Sequence, residues 1–192
     1  MNVNSRLLYP KHFLTYIKQS ELFWVISFSI LTAISAQVSI PVKPVPFTLQ
    51  TFMVLLAGAF LGSKNGAYSQ VIYLLMGTLG LPVFAQTADG TMGIARLFGP
   101  TGGYLLAFPI GAYLVGWLTE RKQKYFTVVF SMFTAEIMII FLGTLYLYAA
   151  FVHNFSEALK VGAAIFSIWM VIKVFTAATI YFAISKKQSR IP

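Results

Sequence analysis

Two ionisable side chains stand inside long apolar runs of this 192-residue chain: Glu136 in FTVVFSMFTAEIMIIFLGTLYLYAA and Lys173 in AAIFSIWMVIKVFTAATIYFAI. A charge surrounded by hydrocarbon costs several kcal/mol unless it is answered, so such residues pair, bind something or move protons. If both runs are helices, each charge lies about eleven positions, roughly 16 Å at 1.5 Å per residue, from the end nearest the basic loops. At that common depth the two can meet. Two readings stay open. In one the pair only balances charge, because a buried Lys can be neutralised by a Glu without binding anything. In the other Lys173 serves a ligand, with Phe166, Trp169, Met170 and Thr176 on or beside its helical face. An aromatic wall beside a cation suits a small amphipathic molecule. An acid and base working on a substrate inside the membrane is a third, enzymatic reading of the same pair.

A second group gathers in AQTADGTMGIARLFGPTGGYLLAF, where a glycine-rich turn precedes an apolar run. Thr101 is placed to cap the helix that follows, and the first turn of a helix offers free amides and a positive dipole end to an anion such as a carboxylate. The alternative is a plain turn whose Gly99, Gly102 and Gly103 only permit close packing. No Gly-Lys-Ser or Gly-Lys-Thr follows, so this is not a nucleotide-phosphate loop. Arg96 is the lone cation of that segment and either attracts an anionic ligand or is a solvated or headgroup-binding arginine. The chain has no cysteine. His12, His153, Asp89 and Glu157 lack metal-ligand spacing and no hydrolytic triad is visible, so neither a metal site nor a catalytic residue is expected.

What positions these residues is a membrane bundle. The chain is 58% hydrophobic and 10% charged, with a mean hydropathy of +0.77, whereas soluble domains carry about 25% charge. Six segments approach the roughly 20 apolar residues needed to span a bilayer, at about 22–40, 47–62, 66–84, 101–118, 125–150 and 161–184. Ser63, Lys64 and Asn65 separate the second from the third, which predicts a tight helical hairpin. Nothing divides the chain, so 1–192 reads as one membrane domain, with 1–20 a basic segment suited to the cytoplasmic interface. The net charge of +9 falls between apolar runs rather than in one patch, which argues for membrane topology and against nucleic acid. Placing both termini in the cytoplasm puts Arg6, Lys11, Lys18, Lys64, Arg121, Lys122, Lys124, Lys186, Lys187 and Arg190 inside, leaving Lys43, Arg96 and Lys160 outside, as the positive-inside rule requires. In the first span Ser29 with Ala33, and Thr32 with Ala36, form overlapping small-xxx-small pairs. They fit either packing within the bundle or a docking face for another membrane subunit.

The stretch PVKPVPFTLQTFMVLLAGAFLGSKNGAYSQVIYLLMGTLGLPVFAQ, followed by LFGPTGGYLLAFPIGAYLVGWL, resembles the BioY family, the biotin-specific S components of energy-coupling factor (ECF) transporters. The likeness covers residues 41 to 118. It implies a six-helix bundle in the bacterial cytoplasmic membrane. Such a bundle binds biotin from outside and passes it inward with a transmembrane coupling subunit and two cytoplasmic ATPases. It has no cofactor of its own, since its partners use the ATP. The resemblance also favours docking for Ser29, Thr32, Ala33 and Ala36. Gln50, Phe84 and Gly99 to Tyr104, including Thr101, Gly102 and Gly103, match the family's motifs and become pocket candidates. Lys173 matches the lysine of an Asp-x-x-Lys element near biotin, but Met170 occupies the Asp position. The missing acid is offset by Glu136, Gln86 or Gln50, or else marks a different ligand, such as another small vitamin or a biotin precursor. The carboxylate of biotin is expected toward Arg96 or the glycine turn, with its ureido group deeper.

Overall fold

The computed structural model describes residues 20–40, 42–87, 90–163 and 167–185. Residues 1–19 of the basic segment expected over 1–20, Phe166, and the basic residues Lys186, Lys187 and Arg190 lie outside them. The described chain is an all-α bundle. Helix α1 runs Glu21–Gln37. Two-residue strands β1, Ser39–Ile40, and β2, Phe47–Thr48, then pair antiparallel. The helical stretch Gln50–Thr78 is broken at Gly62 into α2 (50–61) and α3 (63–78). A 3-10 turn, Gly93–Phe98, leads into α4, Gly102–Arg121. Helix α5, Tyr125–Leu147, ends in a π turn, Tyr148–Val152. The short α6, Phe155–Gly162, and α7, Ser167–Ser185, complete the bundle. By length and composition α4, α5 with its π turn, and α7 can each cross a membrane. Ile30, Ile34, Phe130, Ile137, Phe141 and Ile172 are exposed on the bundle, a surface that water would penalise and lipid tails accept.

The expected hairpin forms, but its turn lies one residue before Ser63. Gly62 has φ 80° and ψ −175°, a conformation only glycine enters without strain. Ser63, Lys64 and Asn65 are therefore the first turn of α3 rather than a loop. The new helix start is capped from another element: Glu120 of α4 accepts from the Ser63 amide at 2.7 Å and from its hydroxyl at 3.1 Å. Gly116, one turn earlier in α4, lies so close that a Cβ there would stand 2.2 Å from the Ser63 nitrogen. Gly58 and Gly66 let the hairpin arms touch, the Cβ of a residue at 66 falling 2.9 Å from the Gly58 Cα. In a bilayer, small residues gain association free energy by letting backbones approach.

Helix α1 seals onto α3 through polar groups. The Ser29 hydroxyl donates to the Ser69 carbonyl at 2.6 Å, and Gln70 Nε2 donates to Thr32 Oγ1 at 3.3 Å. Ser29, Thr32 and Ala36 are fully buried, and Ala33 is half-buried. The docking face expected on these four is thus turned inward, because their small side chains and hydroxyls are used within the bundle. Other boundaries also move. The third span stops at Thr78, with 79–84 in a turn, and the expected sixth span, 161–184, corresponds to α7, its first two residues ending the separate α6.

One end of the bundle collects the start of α1, the Gly62 turn, the α4–α5 connection and the end of α7. This grouping is marked by the Asn65–Glu21 bond at 3.1 Å and the Tyr125–Phe182 ring contact at 5.3 Å. The opposite end carries the β-hairpin, the 79–101 connection, the π turn and α6. Gly116→Leu, which drives a side chain into the Gly62–Ser63 backbone, is expected to destabilise by about 3 kcal/mol or to prevent folding. Glu120→Ala, which removes only a cap, should cost about 1 kcal/mol. Thermal unfolding midpoints in detergent check both.

Candidate ligand-binding site

Helix α2 is short, about 18 Å for its twelve residues, and its first turn starts well inside the bundle. A cavity lies over that start. Val45, Pro46 and Thr48 of the β-hairpin segment line it, with Gln50 and Thr51 from the first turn of α2. Phe84 and Ala85 from the 79–87 connection, Arg96 from the 3-10 turn, Thr101 just before α4, and Tyr104, Leu105 and Phe108 from α4 complete it.

Packing fixes the aromatic part. The Phe84 ring fills the space left by Gly77, where a Cβ would sit 2.1 Å from Phe84 Cζ. Tyr73 holds that ring edge-on at 5.5 Å and stacks on Phe108 at 6.4 Å, arrangements that suit the quadrupoles of aromatic rings. The Tyr73 hydroxyl donates to the Val83 carbonyl at 3.2 Å and accepts from Gln50 Nε2. Gln50 Oε1 in turn accepts from Thr48 Oγ1 at 3.0 Å. Tyr104 is anchored at its far end, its hydroxyl donating to the Gly162 carbonyl at 2.8 Å and pairing with Thr144 Oγ1 at 3.0 Å. A rigid apolar wall therefore faces a few polar groups, as in most small-molecule sites.

Arg96 is not a solvated loop residue: it is only 2% exposed. Its guanidinium donates to the Ala85 carbonyl at 2.6 Å and to the hydroxyls of Thr87 and Thr91. It stitches the 85–91 segment to the 3-10 turn and reaches two cavities, the second adding Val42, Lys43, Pro44 and Pro100. Thr101 lines both cavities. It does not cap α4: its backbone is already helical and it makes no capping bond. Its buried Oγ1 has no hydrogen-bond partner among the described residues.

Below the cavity, Glu136 and Lys173 meet as the sequence predicts. Lys173 Nζ lies 2.6 Å from Glu136 Oε1, with side-chain exposures of 5% and 0%. Thr51 joins them, donating to Glu136 Oε1 at 2.9 Å and accepting from Lys173 Nζ. The three residues tie α2, α5 and α7 at one depth, and Thr51 carries the contact up to the cavity wall.

Gln50, Phe84, Arg96, Thr101 and Tyr104 thus share one cavity, while other sequence candidates fall elsewhere. Gly102 and Gly103 serve packing: a Cβ on the first would meet the Leu97 carbonyl oxygen at 1.8 Å, and on the second Tyr146 Cβ at 2.3 Å. Gly99 ends the 3-10 turn, its amide donating to the Arg96 carbonyl at 3.2 Å. Gln86 is exposed and borders a further cavity, with Gln37 and Leu81, on the other side of Phe84 and Ala85, which line it and the first. The wall of aromatics expected beside Lys173 does not form among the described residues of α7. Trp169 is 38% exposed and stacks on Phe47 at 5.7 Å. Met170 packs against the bundle core, and Thr176 is exposed, its hydroxyl spent on the Ile172 carbonyl. Thr51 and Phe108 escaped the sequence reading, although Thr51 directly follows Gln50 in the quoted Thr-Leu-Gln-Thr run.

Comparison with known proteins agrees with this architecture. The model of the BioY family matches residues 10–190. A protein named probable biotin transporter BioY, from Pyrococcus horikoshii, is 40% identical over 85% of this chain and 95% of its own length. The biotin transporter BioY of Thermotoga maritima is 38% identical over 84% of this chain and 93% of its own. A crystal structure of the S-component for biotin from an ECF-type ABC transporter superposes with a TM-score of 0.80 at 25% identity, covering 89% of this chain and 93% of that one. With a family model spanning nearly its whole length and an apolar-walled cavity above a buried ion pair, this chain is a multi-pass membrane protein that belongs to the BioY family.

Proposed function

We propose that the protein is the biotin-binding membrane subunit of an ECF transporter. It captures the vitamin in the α2–α4 cavity and releases it inward with an energising module of one transmembrane coupling subunit and two cytoplasmic ATPases. The observation that carries this reading is the 0.80 TM-score likeness, across nearly the full length of both chains, to a solved S-component for biotin. The cavity chemistry supports it. Phe84, Tyr104, Leu105 and Phe108 suit a fused apolar bicycle and its aliphatic chain. Arg96 and the Thr101 hydroxyl suit a carboxylate, and the polar floor at Thr51 suits a ureido ring.

Charge distribution supports an orientation. Lys64, Arg121, Lys122 and Lys124 gather at the hairpin end, against Lys43, Arg96 and Lys160 at the cavity end, so the hairpin end and both termini face the cytoplasm and the cavity faces outward. A second reading, an S component for a biotin precursor or another small vitamin, is favoured by Met170 in place of the family's acid.

Calorimetry with the purified protein is expected to give biotin binding at least roughly 100-fold, or about 2.7 kcal/mol, tighter than thiamine or riboflavin binding. Desthiobiotin binding more tightly than biotin would move the assignment to the precursor. Gly77→Val should displace the Phe84 ring and weaken biotin at least about tenfold, while unfolding behaviour shows the bundle intact. Because the chain has no native cysteine, single-cysteine variants report topology directly. Lys160→Cys should react with an impermeant maleimide on intact cells, and Lys122→Cys only after permeabilisation; the reverse pattern would invert the orientation.

A further inference from the structure

The chain carries Met170 one helical turn before Lys173, and a thioether is a poor acceptor for an N–H donor. Three other side chains are candidates for that task. Gln86 is exposed and lines another cavity. Gln50 is engaged at both ends of its amide, by Tyr73 and by Thr48. Glu136 differs from both. Its Oε1 receives Lys173 and Thr51, but its Oε2 is fully buried with no hydrogen-bond partner among the described residues. An ionised carboxylate accepts at about four sites on its two oxygens, and a buried acceptor left unmet is costly. The Lys173 ammonium has three N–H donors, of which Thr51 and Glu136 engage two. Thr51, bonded to both charged groups, is itself part of the cavity wall. Through Thr51 the cavity wall thus joins a carboxylate with an unmet acceptor to an ammonium with a third N–H, a set that complements a ligand group in which N–H adjoins C=O.

We propose that Glu136 is a ligand-binding residue. Its Oε2 accepts an N–H of a cyclic urea, the remaining Lys173 proton goes to the urea carbonyl, and Thr51 acts as the positioning residue for both. The proposal rests on the reading above that the ligand is biotin, and it puts the bicyclic end deepest. The acid that recognises the ureido ring thus comes from α5 rather than from α7.

The test compares biotin with its two cyclic carbamate analogues, each replacing one ureido N–H by a ring oxygen, on the full-length protein by calorimetry. The wild type should bind the analogue that lacks the contacting N–H at least about tenfold more weakly than biotin. In Glu136→Gln, whose amide can present a donor to the ligand, biotin should weaken by a similar factor and the gap between the two ligands should close. Equal binding of biotin and both analogues by the wild type would overturn the proposal, as would unchanged biotin affinity in Glu136→Gln or an equal loss for all ligands. If Glu136→Gln does not fold, the wild type labelled with 13C-glutamate decides by infrared difference spectroscopy. A shift of a carboxylate stretch on adding biotin is expected, and its absence rejects the role. Failure of the wild type to bind biotin at all would instead remove the transport assignment on which the proposal stands.

Discussion

A charge placed at mid-depth in a membrane protein has to be answered by an opposite one, and here the answer reaches across the bundle. Glu136 is central in α5 and Lys173 lies in α7, two helices otherwise joined by small and apolar contacts such as those of Ala177 and Ala178. Removing either partner of such a pair strands the other at a cost of about 3–5 kcal/mol, so the pair sets the register between α5 and α7. Thr51 extends the constraint to a third helix. The start of α2 is thereby fixed at the depth of the ion pair.

The other end of α2 is held in the same manner, by a side chain from elsewhere. Gly62 turns the chain and Glu120 of α4 takes up the freed amide of Ser63. A helix about three turns long is marginal by itself. This one is fastened at both ends, and Gly58 presses against the Ala112 carbonyl between them. Because α4 also supplies Tyr104, Leu105 and Phe108 to the cavity, the contact that anchors the hairpin also positions the aromatic wall.

Much of this was legible in the sequence, for identifiable reasons. The ion pair could be read because two lone charges in apolar runs have few other solutions, and the helices because hydrocarbon burial demands length. Gln50, Phe84 and Tyr104 were found through motif likeness, Arg96 as the lone cation of its segment and Thr101 through both routes, and the five do share a cavity. Local patterns misled where tertiary packing decides. Thr101 has the residue type of a cap, but its backbone is already in the helix. Ser29 and Thr32 form a small-residue stripe whose hydroxyls are spent on the Ser69 carbonyl and the Gln70 amide of α3 rather than offering a surface. Trp169 and Thr176 have the right spacing from Lys173, but Trp169 stacks on Phe47 and Thr176 is exposed, bonded to its own helix. Thr51 carries no charge, ring or special dihedral, so only its contacts reveal it.

The shortness of α2 also changes what kind of medium the ion pair experiences. Between the first turn of α2 and the cavity end of the bundle, the chain runs as a two-residue β-hairpin and irregular connections, whose peptide groups are not all paired within a helix. At membrane depth such backbone is tolerated only when protein covers it or water reaches it. Here protein covers it: Gln50, Phe84, Arg96, Thr101 and Tyr104 around the cavity are all buried, so polar protein groups rather than a full leaflet of lipid tails stand over Lys173. Two formal charges can then sit at a depth where, in an unbroken six-helix wall, neither would be tolerated.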